Sequence, residues 1–171
     1  MRSRPQYKQR QNANMLESLK NLMAELGGGH KHQDRFGDDD YRVASAAMLI
    51  HASVVDGAMS GPERHKLYEI VKTRFELDDT STTELIAQAA AAENEAVDLY
   101  HFTRLLNHSL DAIGRRRLIE MMWEMVYADG QVNEIEENLI WRAADLLGIS
   151  SRDRIEIRHL VTGRKDGSDA P

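Results

Sequence analysis

Asp129-Gly130-Gln131-Val132-Asn133-Glu134-Ile135-Glu136 follows one apolar helical run and precedes another. It has a counterpart 73 positions upstream, Asp56-Gly57-Ala58-Met59-Ser60-Gly61-Pro62-Glu63. Both read Asp-Gly-x-x-(Ser/Asn)-x-x-Glu. Glycine at a helix end supplies the left-handed backbone that closes it. Ser60 and Asn133 are good caps for the next helix, and Glu63 and Glu136 stand three residues later, where a capping box needs them. Pro62 is tolerated in a first turn, where its missing N–H costs little. Each copy therefore predicts a helix, a tight turn and a second helix.

The flanking sequence continues in helical periodicity. Val43, Ala47, Ile50 and Val54 form a stripe over Tyr41 to Val55, and Leu67, Ile70, Val71 and Phe75 form the next. Ser81-Thr82-Thr83-Glu84 reads as a capping box opening an Ala-rich helix to about Glu93, with Leu85, Ile86, Ala89 and Ala90 inward. Asp98 caps a segment bearing Leu99, Phe102, Leu106 and Leu110, and Gly114 separates it from Leu118-Ile119 and Met121 to Val126. After the second turn, Ile135, Leu139, Ala143, Leu146 and Leu147 are placed inward. Gly148-Ile149 reads as a Schellman stop. Ser150 or Ser151 opens a last helix with Ile155, Ile157 and Leu160. No segment alternates with the two-residue period of a strand. The expectation is an all-α, single helical domain of about seven or eight helices, built on two pseudo-symmetric helical hairpins over residues 36–163, with a disordered tail at 164–171.

Residues 1–35 read as a separate arm. Arg2, Arg4, Lys8 and Arg10 make its start basic, and Met15 is an alternative initiator. Met15, Leu19, Leu22 and Leu26 share one face of a short amphipathic helix that Gly27-Gly28-Gly29 ends. About a dozen residues make a marginal isolated helix, so this one is expected to dock on the body, on a second copy or on a membrane surface. His30-Lys31-His32 has the look of a metal-ligand pair but sits in a Gly-rich linker.

Composition narrows the function classes. The chain of 171 residues carries a formal charge of −6, which argues against a nucleic-acid partner. It has no cysteine, which removes disulfides, thiol catalysis and Cys-ligated zinc and suits a reducing cytoplasm. There is no Gly-x-Ser-x-Gly, His-Glu-x-x-His, P-loop or dinucleotide fingerprint. The reading is therefore non-enzymatic and cytoplasmic.

The acidic residues of the two turns carry the site hypothesis. Capping accounts for Glu63 and Glu136. Asp56 and Asp129 sit at helix C-termini, where the macrodipole disfavours a carboxylate by about 0.3–1 kcal/mol. An Asx-type hydrogen bond, the start of the next helix or a bound cation could compensate. Asp56, Glu63, Asp129 and Glu136 together would offer hard oxygen ligands, suited to Ca²⁺ or Mg²⁺ more than Zn²⁺, without the spacing of an EF-hand. Cap-and-turn residues on one side and a divalent-cation site on the other both remain open.

At these positions the chain resembles the TerB-like family, the tellurite-resistance-associated helical domain. The resemblance rests on the paired turns, on the preceding runs Met48-Leu49-Ile50-His51-Ala52-Ser53-Val54-Val55 and Met121-Met122-Trp123-Glu124-Met125-Val126-Tyr127-Ala128, and on Ala143-Ala144-Asp145-Leu146-Leu147-Gly148-Ile149. It covers about Phe36 to Gly163, and the arm is similar to that of short, stand-alone alphaproteobacterial members. The resemblance implies pseudo-symmetric hairpins and an acidic, metal-binding patch at Asp56, Glu63, Asp129 and Glu136. It also implies a stress- or envelope-associated module acting through protein contacts. The family's fused co-chaperone function does not carry over, since no His-Pro-Asp signature is present. Expected partners are proteins, including a second copy as a homodimer, with peripheral membrane contact through the arm. The competing expectation is a metal-free interaction scaffold or membrane-surface adaptor.

Other constellations are less specific. Glu156-Ile157-Arg158-His159 is a Glu-x-x-His unit of the kind that holds di-iron, but Asp98-Leu99-Tyr100-His101 is a poor second copy. Glu120, Glu124 and His51 are candidates for outer ligands of the acidic site. Trp123 and Trp141 read as core or interface anchors. Arg115-Arg116-Arg117, at a helix start, calls for a carboxylate partner.

Overall fold

Small residues decide the architecture. The segment Tyr41–Val54 (α1) buries Ala44, Ser45, Ala46, Ala47, Ala52 and Ser53 along with Val43, Met48, Leu49 and Ile50. It is therefore covered nearly all round, as expected of a helix without a solvent face, and the single stripe predicted for it is too narrow. Short side chains let neighbours approach from several sides. α1 touches Gly61–Arg74 (α2), Asp79–Glu95 (α3), Leu99–Ser109 (α4), Ala112–Val126 (α5) and Glu134–Leu146 (α6). The last helix, Ser151–Ser168 (α7), packs on α5.

The computed structural model describes residues 36, 37 and 40–168, with side chains to 164. Seven helices and no strand occur among them, so the fold is all-α. The basic arm, the amphipathic segment Met15–Leu26, His30-Lys31-His32 and residues 169–171 lie outside the described residues.

α5 is the second buried helix. Leu118, Ile119, Met122, Trp123, Met125 and Val126 are fully covered. Trp123 packs edge-on to Trp141 of α6 with ring centroids 6.1 Å apart, and the Arg158 guanidinium of α7 lies 5.3 Å over the Trp123 ring. The anchor role expected of both tryptophans is what the packing shows. No buried side-chain nitrogen or oxygen among the described residues lacks a hydrogen-bond partner.

Several predicted boundaries move, each for a local reason. α3 begins at Asp79, not after Ser81, because the Asp78 carboxylate accepts from the Ser81 N–H at 2.7 Å and caps the helix first. Gly114 does not separate two helices. Asp111 caps α5 by accepting from the Gly114 N–H at 2.7 Å, which puts Gly114 inside the first turn. Ile135 is 54% exposed, and the inward face of α6 is instead Glu136, Ile140, Ala143 and Ala144. On α7 the buried positions are Ile157 and Val161, while Ile155 and Leu160 are exposed. α7 also continues past Gly163 into the predicted tail, with Arg164 paired to Glu120 of α5. The Schellman stop is present: Gly148 has φ +69°, its N–H donates to the Asp145 carbonyl, and the Ile149 N–H donates to the Ala144 carbonyl.

The central position of α1 sets an expectation for stability. Leu49→Ala should cost about 2–5 kcal/mol, because a fully covered leucine leaves a cavity that its neighbours only partly fill. Val97→Ala, at a residue 99% exposed, should stay within about 0.5 kcal/mol. Urea midpoints of the two variants check the contrast. Equal losses would mean that α1 is not the centre of the core.

Candidate functional site

Both copies of the duplicated turn fold the same way locally. Gly57 and Gly130 take φ of +141° and +84°. Ser60 caps α2: its hydroxyl accepts from the Glu63 N–H, and the Glu63 carboxylate accepts from the Ser60 N–H at 2.7 Å. Asn133 caps α6: its side-chain oxygen accepts from the Ile135 and Glu136 N–H groups, and the Glu136 carboxylate accepts from the Asn133 N–H at 2.9 Å. The reciprocal bonds swing both glutamates inward, to 4% exposure for Glu63 and 5% for Glu136. Glutamate is seldom buried so deeply without a charged partner.

The two turns meet. The side-chain N–H of Asn133 donates to the Asp56 carboxylate at 2.8 Å, linking residues 77 positions apart. Asp129 holds its own turn by accepting from the Gln131 N–H at 2.9 Å, an Asx-type bond. Both aspartates thus find compensation for their unfavourable place at a helix C-terminus, one locally and one from the other turn. The link is one-sided. Asn133 accepts at its oxygen and donates at its nitrogen to Asp56, whereas among the described residues the Ser60 hydroxyl makes only its own cap bond.

Four carboxylates therefore share one locality. Burial pushes the Glu136 carboxyl above its ordinary value, the Asn133 N–H pulls it back, and the charges of Asp56, Glu63 and Asp129 push it up again. Among the described residues, no Lys, Arg or His lies within ion-pair distance of any of the four. Among the described residues, each carboxylate has one oxygen engaged by a hydrogen bond and the other in none. The donor set suits a hard cation in kind and charge. As it stands it is too open: among the described residues, no three or more His, Cys, Asp or Glu side chains are grouped closely enough to hold an ion.

The other candidates go elsewhere. His51 bonds Glu93 at 2.9 Å, Glu124 pairs with Arg74 at 2.8 Å, and Glu120 pairs with Arg164, so none of the three completes the acidic locality. In the Glu-x-x-His unit, Glu156 faces Arg116 at 3.6 Å and Arg158 holds Glu137 at 2.8 Å, which makes it part of the α7 docking surface. Arg116 finds the carboxylate partners expected for the arginine cluster in Asp153 and Glu156. Sequence reasoning missed two things, the burial of Glu63 and Glu136 and the bond from Asn133 to Asp56. Asparagine in place of serine at the second cap was the only visible signal of the latter.

The family model described as Tellurite resistance protein TerB matches residues 42–159, more than half of the chain and all of both turns. No curated protein and no solved structure matches. No helix among the described residues is long and apolar enough to cross a membrane.

Two outcomes follow from the geometry. Asn133→Asp keeps the cap acceptor, since Asp and Asn cap about equally well, but it loses the donor to Asp56 and adds a charge among four carboxylates. It should cost about 1 kcal/mol or more at low ionic strength, and part of the loss should return in about 1 M salt. A urea midpoint equal to the wild type would mean that the inter-turn bond carries no stability. The second outcome concerns pH. The folded state holds the Glu136 proton more tightly than the unfolded chain does, so this group's contribution to stability falls as pH rises from the ordinary value of 4.5 through its raised folded value. Glu136→Gln removes that dependence. The Tm of Glu136→Gln relative to wild type should therefore climb across that window in metal-free buffer, and a constant difference would contradict the assignment.

Proposed function

The chain belongs to the tellurite resistance protein TerB family, and from that premise we propose that it is a non-enzymatic, cytoplasmic helical module that binds a divalent cation where its two acidic turns meet and acts through protein contacts. The observation that carries this reading is the convergence of Asp56, Glu63, Asp129 and Glu136 without a basic partner among the described residues. Mutual repulsion of four carboxylates opposes the approach of the turns. A bound Ca²⁺ or Mg²⁺ would supply the missing positive charge. The residues that would hold it are these four, through the oxygens that capping leaves uncommitted. Glu63 and Glu136 would remain oriented by the Ser60 and Asn133 N–H groups. Because the group is open as it stands, cation binding in this reading goes with a tightening of the two turns.

The reading gives the module an output. The turns join α1 to α2 and α5 to α6, so tightening them alters how the two hairpins present their outer faces to a protein partner, including a second copy of the chain. A metal-free scaffold is the competing reading. Its support is that each carboxylate already accepts a hydrogen bond and that no ready-made ligand group exists among the described residues. Peripheral membrane contact through residues 1–35 would belong to that second reading.

One titration separates the two. Metal-stripped protein is melted with Ca²⁺, Mg²⁺, Mn²⁺ or Zn²⁺, beside Asp56→Asn/Asp129→Asn. A cation held only by the folded state adds about 2.7 kcal/mol at about 100 times its Kd. A selective rise in Tm with Ca²⁺ or Mg²⁺ that the double variant loses is expected. No rise with any ion would leave the carboxylates as caps and turn residues and favour the scaffold.

A further inference from the structure

A second concave site lies at the opposite end of α1 and α5 from the acidic turns. It is a cleft of about 490 Å³ where the start of α1, the end of α2 and the α4–α5 corner come together. That volume is in the range of small-molecule sites. Leu110 and Phe75, both half-buried, give it apolar surface, the Phe75 ring packed edge-on to Tyr41 with centroids 6.1 Å apart, while Leu118 and Met121 line it as buried residues.

The lining also carries charge. Arg74 and Arg117 both line the cleft, against one carboxylate, Asp111. One Asp111 oxygen is committed to capping α5 through the Gly114 N–H. Arg74 pairs with Glu124 at 2.8 Å, but Glu124 is shared with Arg164 at 3.6 Å. A guanidinium has five N–H donors, so one ion pair leaves others for a ligand. Arg117 is exposed and makes no ion pair or hydrogen bond among the described residues. Arg117 is thus the lining guanidinium whose donors are all uncommitted among the described residues.

We propose that this cleft binds a small aliphatic monocarboxylate, its tail against Leu110 and Phe75 and its carboxylate on Arg117 with Arg74 beside it. A guanidinium fork matches a carboxylate in geometry. A single uncommitted guanidinium, with Asp111 in the same lining, favours a monoanion over a doubly charged phosphate. The apolar surface of Leu110 and Phe75 favours a ligand with a tail over acetate. This site is independent of the acidic turns and of any cation there.

The test is titration of the full chain with octanoate, followed by calorimetry and by amide NMR shifts. Octanol, acetate and inorganic phosphate serve as matched probes. Octanoate is expected to move the signals of Ser109, Leu118 and Met121 and to bind more tightly than each control. Arg117→Gln should weaken octanoate about tenfold, the effect of one charge-assisted hydrogen bond at about 1.4 kcal/mol, with an unchanged melt because Arg117 is exposed. Arg117→Glu should abolish binding. The proposal fails if octanoate leaves those signals in place, if octanol binds as well, if phosphate or acetate matches octanoate, or if Arg117→Gln binds like the wild type.

Discussion

Two glutamates held inside the protein by their own helix caps constrain the rest of the fold. A carboxylate removed from water needs hydrogen bonds to its charged form. Glu63 and Glu136 each receive one from the N–H of the cap residue three positions earlier. That bond forms only if the chain turns sharply before the helix, which in turn requires the left-handed backbone at Gly57 and Gly130. Glycine, cap and glutamate therefore act as one unit, and losing any member exposes the others. The unit also turns each glutamate inward rather than toward solvent. The charge cluster is a consequence of capping geometry before it is anything else.

Burial of α1 makes the meeting of the turns obligatory. A helix lined by Ala44, Ala46, Ala47 and Ala52 packs closely on its neighbours, and close packing leaves little freedom to slide. With α1 set against α5, the segments leaving their C-terminal ends arrive at the same place. Like charges would drive them apart. Asn133 offsets part of this by donating to Asp56, and the Asx bond at Asp129 offsets another part locally. What remains shows in Glu136, which burial first, and then the charges of Asp56, Glu63 and Asp129, push toward its protonated form. An arginine here would have neutralised the cluster permanently. Its absence among the described residues distinguishes this locality from the surfaces that α7 shares with α5 and α6, where Arg116, Arg158 and Arg164 each find carboxylates.

The parts of the fold legible in the sequence are those whose causes are local. The Asp-Gly-x-x-(Ser/Asn)-x-x-Glu pattern states its own turn, cap and capping box within eight residues, so both hairpins could be read from it. The Schellman stop at Gly148 is of the same kind. Errors arise where two local solutions compete. Asp78 and Ser81 are both competent caps, and the earlier one wins because its carboxylate reaches the Ser81 N–H. On α6 the apolar stripe alone would place Ile135 inside, but the capping box turns Glu136 inward, which leaves Ile135 in solvent. The contact between Asn133 and Asp56 left no more trace in the sequence than asparagine in place of serine at the second cap. It depends on how two hairpins dock across 77 residues of chain, and no spacing in the sequence encodes that.

α1 and α5 connect the two ends of the molecule. Tyr41 and Ser45 stand at the cleft and Asp56 lies just past the other end of α1. Gly114 and Leu118 stand at the cleft and Asp129 lies just past the end of α5. A helix of 14 residues spans about 21 Å, so the cleft and the acidic turns are too far apart to interact by direct contact. They are joined instead by a seam in which Met48, Leu49, Met122 and Trp123 are wholly buried. Such a seam has few small adjustments available, because side chains at crystal-like density cannot shift without displacing neighbours. The constraint that forces four carboxylates together at one end is thus the same one that holds the arginine-flanked cleft in shape at the other.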